Sequence, residues 1–555
     1  MAPGGLGVAG RATAMIWLGP ACTEKVRLAM STSTPGAEAP ARLEAVLARY
    51  RPFGDWQYID ERTWARYQRR LEILAASLPA ARPLLAALTD ASAESRYHVL
   101  GDPVVRSAID ITLAATALGA SSPKRDDIEA VFDAAARHLA GGRCAPPLNA
   151  AARMDIRLGP APHHAWVWCE ERDADAFGSM FLRLVDELLG PGSALRTPDD
   201  DAQSTLRDAT HLLGELLPAL ARSALDHVHL LAVVDVVDRR RMPFESLSAY
   251  SIPGTVLLSA AALDNPWRAA ERLLREAMHQ KQHDLQHTHS LFSGLGPVDS
   301  PPITALWRRS RPHSSNQWSV SRAFGAFHVH VHLALFFTVA ERRAAELTRI
   351  HGPLHVDPAA AARRALDRAH YLAGEIRRVG WHLLGPAGQR MVDWLFDILT
   401  ELDPALPPAG SHVHLLLDRY DAEAREVGKL VAPRSARPIM LRLIATELAA
   451  ARWIAAWIGG SSLLPDPSVI EVLHRVPDKE LGPAFQSARA IVYQFLHGAA
   501  PDDLALVVDG STGQTLAQVI EALVEESSLD VNSIVEASAA DKRSITRRFP
   551  PQGTP

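Results

Sequence analysis

Cysteine is scarce. Cys22, Cys144 and Cys169 are the only three in 555 residues, odd in number and without C-x-x-C spacing. That excludes a disulfide framework, a cysteine-ligated zinc module and a dithiol redox site, and makes a reducing cytoplasm the expected compartment. A charge excess of one sign is missing as well. The formal net charge is -5 in a chain of which 22% is charged, so there is no electrostatic reason to expect nucleic acid as a partner. The sequence offers no uninterrupted apolar run that reads as a membrane span. Its opening, MAPGGLGVAGRATAMIWLGPAC, is broken throughout by glycine and has no basic segment ahead of a continuous apolar core, so a signal peptide is not expected. No repeat of fixed period is present.

What is there is mostly helix. Apolar residues make up 47% of the chain, and its length exceeds what one hydrophobic core usually holds, so about two or three domains packed together are expected. In RLEAVLARY and ERTWARYQRRLEILAASLPAARPLLAALTDA, apolar residues recur every three or four positions between charged ones, the pattern of amphipathic helices. RDATHLLGELLPALARSAL, GQRMVDWLFDILTEL and RPIMLRLIATELAAARWIAAWI repeat it, separated by proline and glycine turns. The fold class is therefore mainly α with a small β-sheet (α+β). Along the chain this divides into a disordered or over-extended N-terminus (1–40; a second possible start is Met30), a helical N-terminal region (41–227), a metal-site core (228–345), a helical C-terminal domain (346–545) and a disordered tail (546–555).

The sheet is expected just before residue 260. HLLAVVDVV (His229 to Val237) and GTVLLS (Gly254 to Ser259) are short β-branched runs bounded by turn residues. A helix follows with a strong start, Asn265 as cap and Pro266 at the first helical position, and runs unbroken through WRAAERLLREAMHQKQHDLQ.

That helix carries the chemistry. In H-E-x-x-H, two histidines one turn apart hold a metal and the glutamate between them is a general base. Here the letters are His279, Gln280, Lys281, Gln282, His283: the ligand spacing is kept and the base is gone. Glu276 lies one turn before His279, and His287 one turn beyond His283. An isolated H-x-x-x-H arises by chance in polar helices, so its neighbours have to support a metal role.

Downstream, FGAFHVHVHLALFFTVAERRAAEL supplies His328, His330 and His332 as further ligands. Strict alternation from Phe327 to Leu333 suits a strand with all three on one face. As a helix, which the alanine-rich continuation favours, His328 and His332 share a face and His330 points away. Between the two histidine segments, ALWRRSRPHSSNQW places Trp307, Arg308 and Arg311 in a loop. Guanidinium groups beside a metal suit bidentate recognition of a carboxylate, as a 2-oxo acid co-substrate requires.

The block FESLSAYSIPGTVLLSAAALDNPWRAAERLLREAMHQKQHDL, then a tryptophan–arginine loop, then FGAFHVHVHLALFF, resembles the HEXXH-motif peptide-modification proteins of bacterial gene clusters for ribosomally made peptides. The likeness covers roughly Phe244 to Phe336. It implies a non-haem iron, 2-oxoglutarate-dependent hydroxylase of peptide side chains rather than a protease. His279 and His283 stand at the motif's histidines, and Gln280 replaces its glutamate. A zinc peptidase needs that carboxylate to activate water and a glutamine amide cannot take the proton, whereas an iron oxygenase needs ligands and open coordination positions instead.

The resulting expectation is an oxygenase using Fe(II) and 2-oxoglutarate on a peptide substrate or precursor peptide. His279 and His283 bind the metal, one of His328 and His332 completes it, Arg308 or Arg311 holds the co-substrate, and Gln280 supports a ligand from behind. A catalytically silent scaffold that binds a peptide or partner protein is the competing class. A carboxylate-bridged di-iron bundle built on Glu276-x-x-His279 needs a second E-x-x-H on a facing helix, and the sequence has no convincing one.

Overall fold

The computed structural model describes residues 39–118, 125–141, 153–155, 165–169, 176–190, 193–236, 245–293, 301–310, 315–404, 412–430, 434–457, 476–498 and 515–548. Arg311, Cys22, Cys144, the chain before residue 39 and the last seven residues lie outside them. Among the described residues the protein is mainly α-helical with a small mixed sheet and a separate two-stranded ribbon.

The sheet is built around β4 (Leu230–Val236), the more apolar of the two runs read as strands. Its other members are β1 (Arg153–Asp155), β2 (Trp166–Trp168), β3 (Ser193–Arg196), β5 (Ser246–Leu247) and β6 (Thr255–Ser259), in the order β1-β2-β4-β6-β5 with β3 beside the second half of β4. β2, β4 and β6 run parallel, and β1, β3 and β5 pair antiparallel to their neighbours. Side chains alternate between faces along each strand: Leu231, Val233, Val256 and Leu258 join one hydrophobic core, while Leu230, Ala232, Val234 and Leu257 join another. Because both faces are covered, the central strands are continuous apolar runs rather than alternating ones.

Helices α2 (Trp56–Ser77), α3 (Ala81–Asp90), α4 (Ala93–Leu100), α5 (Pro103–Ala117), α6 (Arg125–Ala140) and α7 (Ala176–Leu189) contribute to the core on the Leu230 face. The Leu231 face is covered by α1 (Ala39–Arg49), α8 (Asp200–Leu216), α9 (Pro218–Leu225), α10 (Pro266–Thr288), α11 (Val320–His351), α12 (Pro358–Glu375) and α13 (Pro386–Leu402). Helices α14 (Val413–Gly428), α15 (Arg437–Trp457), α16 (Leu481–Gly498) and α17 (Leu516–Arg548) form a bundle with two smaller cores of its own. Thus α12 and α13, placed by the sequence reading in the C-terminal domain, pack into the same core as α10 and α11, and the separate cores begin with Val413.

The two helices that matter most are α10 and α11. The Asn265 side chain accepts from the Trp267 and Arg268 N–H groups and Pro266 takes the first helical position, as the sequence indicates. Ser319 caps α11, and Gly352, at φ 76°, ends it in a conformation that a side chain disfavours. The HVHVH segment is helical, so the strand alternative falls away. α11 also corrects the expectation that no segment is apolar and long enough to cross a membrane. By length and composition it is, but 78% of its apolar stretch is buried inside the protein, which explains why that stretch is apolar on nearly all sides, while its last turns carry exposed charges such as Glu341 and Arg342. The ribbon of β7 (Ile303–Thr304) and β8 (Gln317–Trp318) frames the tryptophan–arginine loop.

Candidate metal centre

His279 and His283, one turn apart on α10, are both half-buried. Burial holds the His283 pKa down at about 3, with the neighbouring His279 adding to the effect. Burial also lowers that of His279, against the opposing carboxylate of Glu276. Both rings are therefore neutral at neutral pH, the form in which imidazole binds a metal. Glu276, one turn earlier, accepts hydrogen bonds of 2.7 Å from the hydroxyls of Ser246 and Ser248. Burial raises its pKa, but His279, Arg275 and the two serines more than reverse this and leave it lowered. Glu276 is thus an ionised carboxylate tied to β5 and the turn after it. Tyr250 meets the His283 ring edge-on at 5.5 Å and stacks on His287 at 5.0 Å.

Gln280 faces the sheet. Its Oε1 accepts from the Gly254 N–H at 2.8 Å, and its Nε2 donates to the Thr255 carbonyl at 2.6 Å. Gly254 has φ 81°, the turn that starts β6. A donor and an acceptor are both required here, which an amide supplies and a carboxylate does not. The same Oε1 lies 3.4 Å from His283 Nδ1, at the outer limit of a hydrogen bond.

On α11, His328 and His332 are fully buried and adjacent, with ring centroids 4.6 Å apart. His332 Nδ1 donates to the His328 carbonyl at 2.7 Å, and its Nε2 has no partner. His328 meets the Met278 backbone but makes no well-formed hydrogen bond through either ring nitrogen. His330 is half-buried and packs edge-on against Trp307 at 5.7 Å, and its Nδ1 is buried without a partner. Burial lowers its pKa, and the charges of Arg368, Arg275 and His279 lower it further. His330, which helical spacing turned away from the other two, therefore shares the field of His279, as does His328. His279, His283, His328 and His332 do not converge as one set. Among the described residues the groups whose ligand atoms all lie within 4.8 Å of one another are His211–Glu215–His351 and Asp60–His227–Asp284.

Of the expected arginines, Arg308 is half-buried with its guanidinium 6.0 Å from the Trp318 ring centre. Its neighbour Arg309 pairs with Glu426 at 3.0 Å. Three cations missed by the sequence reading approach the histidines more directly. Arg275 and Arg322 act on His279, and Arg368 and Arg275 on His330. Arg322 lies 4.9 Å over Trp318, the ring that Arg308 also reaches, and Arg368 lies 5.2 Å over Trp307 while pairing with Asp418 at 2.6 Å. The spacing of Arg275, one turn before His279, could have revealed it; Arg322 and Arg368 come from other helices and had no such signal.

The opposite side of α10 is anchored in a buried charge network. Asp284 pairs with Arg106 and lies 2.8 Å from His227 Nδ1, which is 3.4 Å from Asp60. Lys281 Nζ donates to the Gly54 carbonyl and to Ser223 Oγ, both at 2.7 Å, and burial pulls its pKa down to about 7. Residues far apart in sequence thereby fix the rotation of α10 about its axis, and with it the direction in which His279 and His283 project.

No protein-family model matches the chain, and no curated protein matches it significantly.

Proposed function

We propose that the protein is an Fe(II)- and 2-oxoglutarate-dependent hydroxylase of a peptide or amino-acid side chain, with a ribosomally made precursor peptide as the substrate class. The observation that carries this reading is a pair of neutral histidines, one turn apart, with no base between them, and the positive charge that Arg275, Arg322 and Arg368 bring to His279 and His330. Two imidazoles and a further histidine from α11 are a donor set suited to Fe(II), and it is the iron, when bound, that supplies the oxidising chemistry. His279 and His283 would hold the metal; among the described residues no third ligand atom groups with theirs within 4.8 Å, so His328, His330 or His332 would complete the set only once the ion draws α11 in. Gln280, its amide committed to Gly254 and Thr255, fixes the helix and lies behind His283. The arginines orient the anionic end of a 2-oxo acid, and Arg308, reaching the same tryptophan as Arg322, belongs to that group. With no carboxylate at position 280 to activate water, and with Glu276 committed to the hydroxyls of Ser246 and Ser248, peptide hydrolysis is disfavoured.

The test is anaerobic titration of the Fe(II)-loaded protein with 2-oxoglutarate, followed by its weak visible metal-to-ligand absorption. The parent protein should develop the band. His279→Ala and His283→Ala should lose most of the iron while keeping helical content. Of His328→Asn, His330→Asn and His332→Asn, the one that loses iron without unfolding identifies the third ligand. Arg308→Lys should shift the titration to higher co-substrate concentration if that side chain makes the contact. Stoichiometric iron with no band would leave a peptide-binding scaffold as the better account.

A further inference from the structure

Away from the His279–His283 face, α8 and the last turn of α11 bring together three side chains with ligand chemistry. His211 and Glu215 are four residues apart on α8 and so project from one face. His211 Nδ1 lies 3.7 Å from Glu215 Oε1, and His351 Nε2 donates a hydrogen bond of 2.8 Å to Glu215 Oε2, a proton that a bound ion would replace. The two imidazole rings are 5.7 Å apart, and one ligand atom from each of the three residues lies within 4.8 Å of the others.

These separations suit a small divalent ion. Tetrahedral zinc, with bonds of about 2.0–2.1 Å to nitrogen and oxygen, sets its ligand atoms roughly 3.3 Å apart, and the two observed separations fall on either side of that value. Burial is graded across the trio: the side chains of His351, Glu215 and His211 are 3%, 29% and 66% exposed. The ion would enter from the His211 side, where water can fill the remaining position. Arg343 brings one positive charge near Glu215 but makes no hydrogen bond to its carboxylate, its guanidinium being engaged by Glu346 and by the main-chain carbonyl of Glu215. The other compact trio, Asp60–His227–Asp284, is a weaker candidate because Arg106 and Lys281 already bring positive charge to it.

The position has a structural consequence. His351 immediately precedes Gly352, whose carbonyl accepts from Trp267 Nε1 at 3.0 Å, while the Pro353 carbonyl accepts from the side chain of Asn265, the cap of α10. An ion on His351 would fasten α8 to the point where α11 ends and α10 begins.

We propose that His211, Glu215 and His351 form a site for one divalent transition-metal ion, zinc fitting it best, that clips α8 to the C-terminal turn of α11. The test uses the full chain carrying His279→Ala and His283→Ala, stripped of metal and titrated with Zn(II) against a chromophoric competitor. One equivalent should bind and raise the melting temperature. Adding His211→Ala, an exposed residue whose loss should not threaten the fold, should weaken binding by more than about 100-fold, beyond the usual cost of losing an outer-sphere partner, and abolish the thermal shift. Glu215→Gln should do likewise. No equivalent in the parent of this series, or one that His211→Ala and Glu215→Gln leave untouched, would overturn the proposal. With both α10 histidines absent, the result stands apart from the fate of the hydroxylase reading.

Discussion

Gln280 donates from its side-chain amide to the carbonyl of Thr255 at 2.6 Å, in a contact wholly removed from water. The residue that departs from the H-E-x-x-H pattern is therefore the one that bolts α10 to the edge of β6.

Restoring the motif should consequently harm the protein. A glutamate at 280 keeps an acceptor for the Gly254 N–H but, when ionised, turns a carboxylate oxygen towards the Thr255 carbonyl and leaves that carbonyl unsatisfied. Gln280→Glu should cost about 1–3 kcal/mol, the usual penalty for an orphaned buried polar group. Urea denaturation should show a lower midpoint at unchanged slope. The zinc-loaded variant should still fail to cleave a broad peptide library.

Acid sensitivity should begin near pH 6.5. His287 is buried between Tyr67 and Tyr250, and burial, with Arg106 nearby, holds its pKa down at about 3. The unfolded chain takes up a proton at this position around pH 6.5 and the folded chain refuses it until about 3. Stability therefore falls as pH drops through that window and levels off below it. Moving from pH 7 to pH 5.5 should remove about 1 kcal/mol through this group alone. His287→Gln retains hydrogen-bonding capacity without a titrating ring, so its stability should decline by that much less over the same interval. Denaturant melts of both proteins at the two pH values check this, and parallel declines would refute it.

Much of the scaffold was legible in the sequence, because local signals were strong there. The Asn265–Pro266 start of α10 and the apolar runs of β4 and β6 each lie within a few consecutive residues. The very short strands β1, β2, β3 and β5 carry too few residues for periodicity to register. HVHVH taken alone fits two periods, and it is the alanine-rich continuation, which favoured helix, that α11 bears out. In the candidate site, the spacing of His279 and His283 was visible. The approach of His330, Arg322 and Arg368 was not, since it depends on how α11 and α12 pack. Asp60, Arg106 and His227 were equally hidden, each meeting α10 from a distant part of the chain.

Arg106 offers the sharpest test of that hidden network. It is fully buried and its partner Asp284 directly follows His283. Arg106→Met should destabilise the fold by about 3–5 kcal/mol, because a buried carboxylate loses its counter-charge. Adding Asp284→Asn should restore part of the loss, so the double variant should be more stable than the sum of the two single changes. Simple additivity in denaturant melts would contradict a direct pairing.

The tryptophan–arginine loop is held to the C-terminal bundle at three points: Arg309 pairs with Glu426, the Ser310 carbonyl accepts from the Asn532 side chain, and Leu306 packs against the bundle's core. A fourth tie comes through Arg368, which lies over Trp307 and pairs with Asp418. Seated on the α10–α11 core through Ile303, Ala305 and Trp318 and moored to the bundle at its tip, the loop is a bridge between two separately packed bodies, so a change as remote as one on the helix that carries Asn532 would be felt where Arg308 and Arg309 sit.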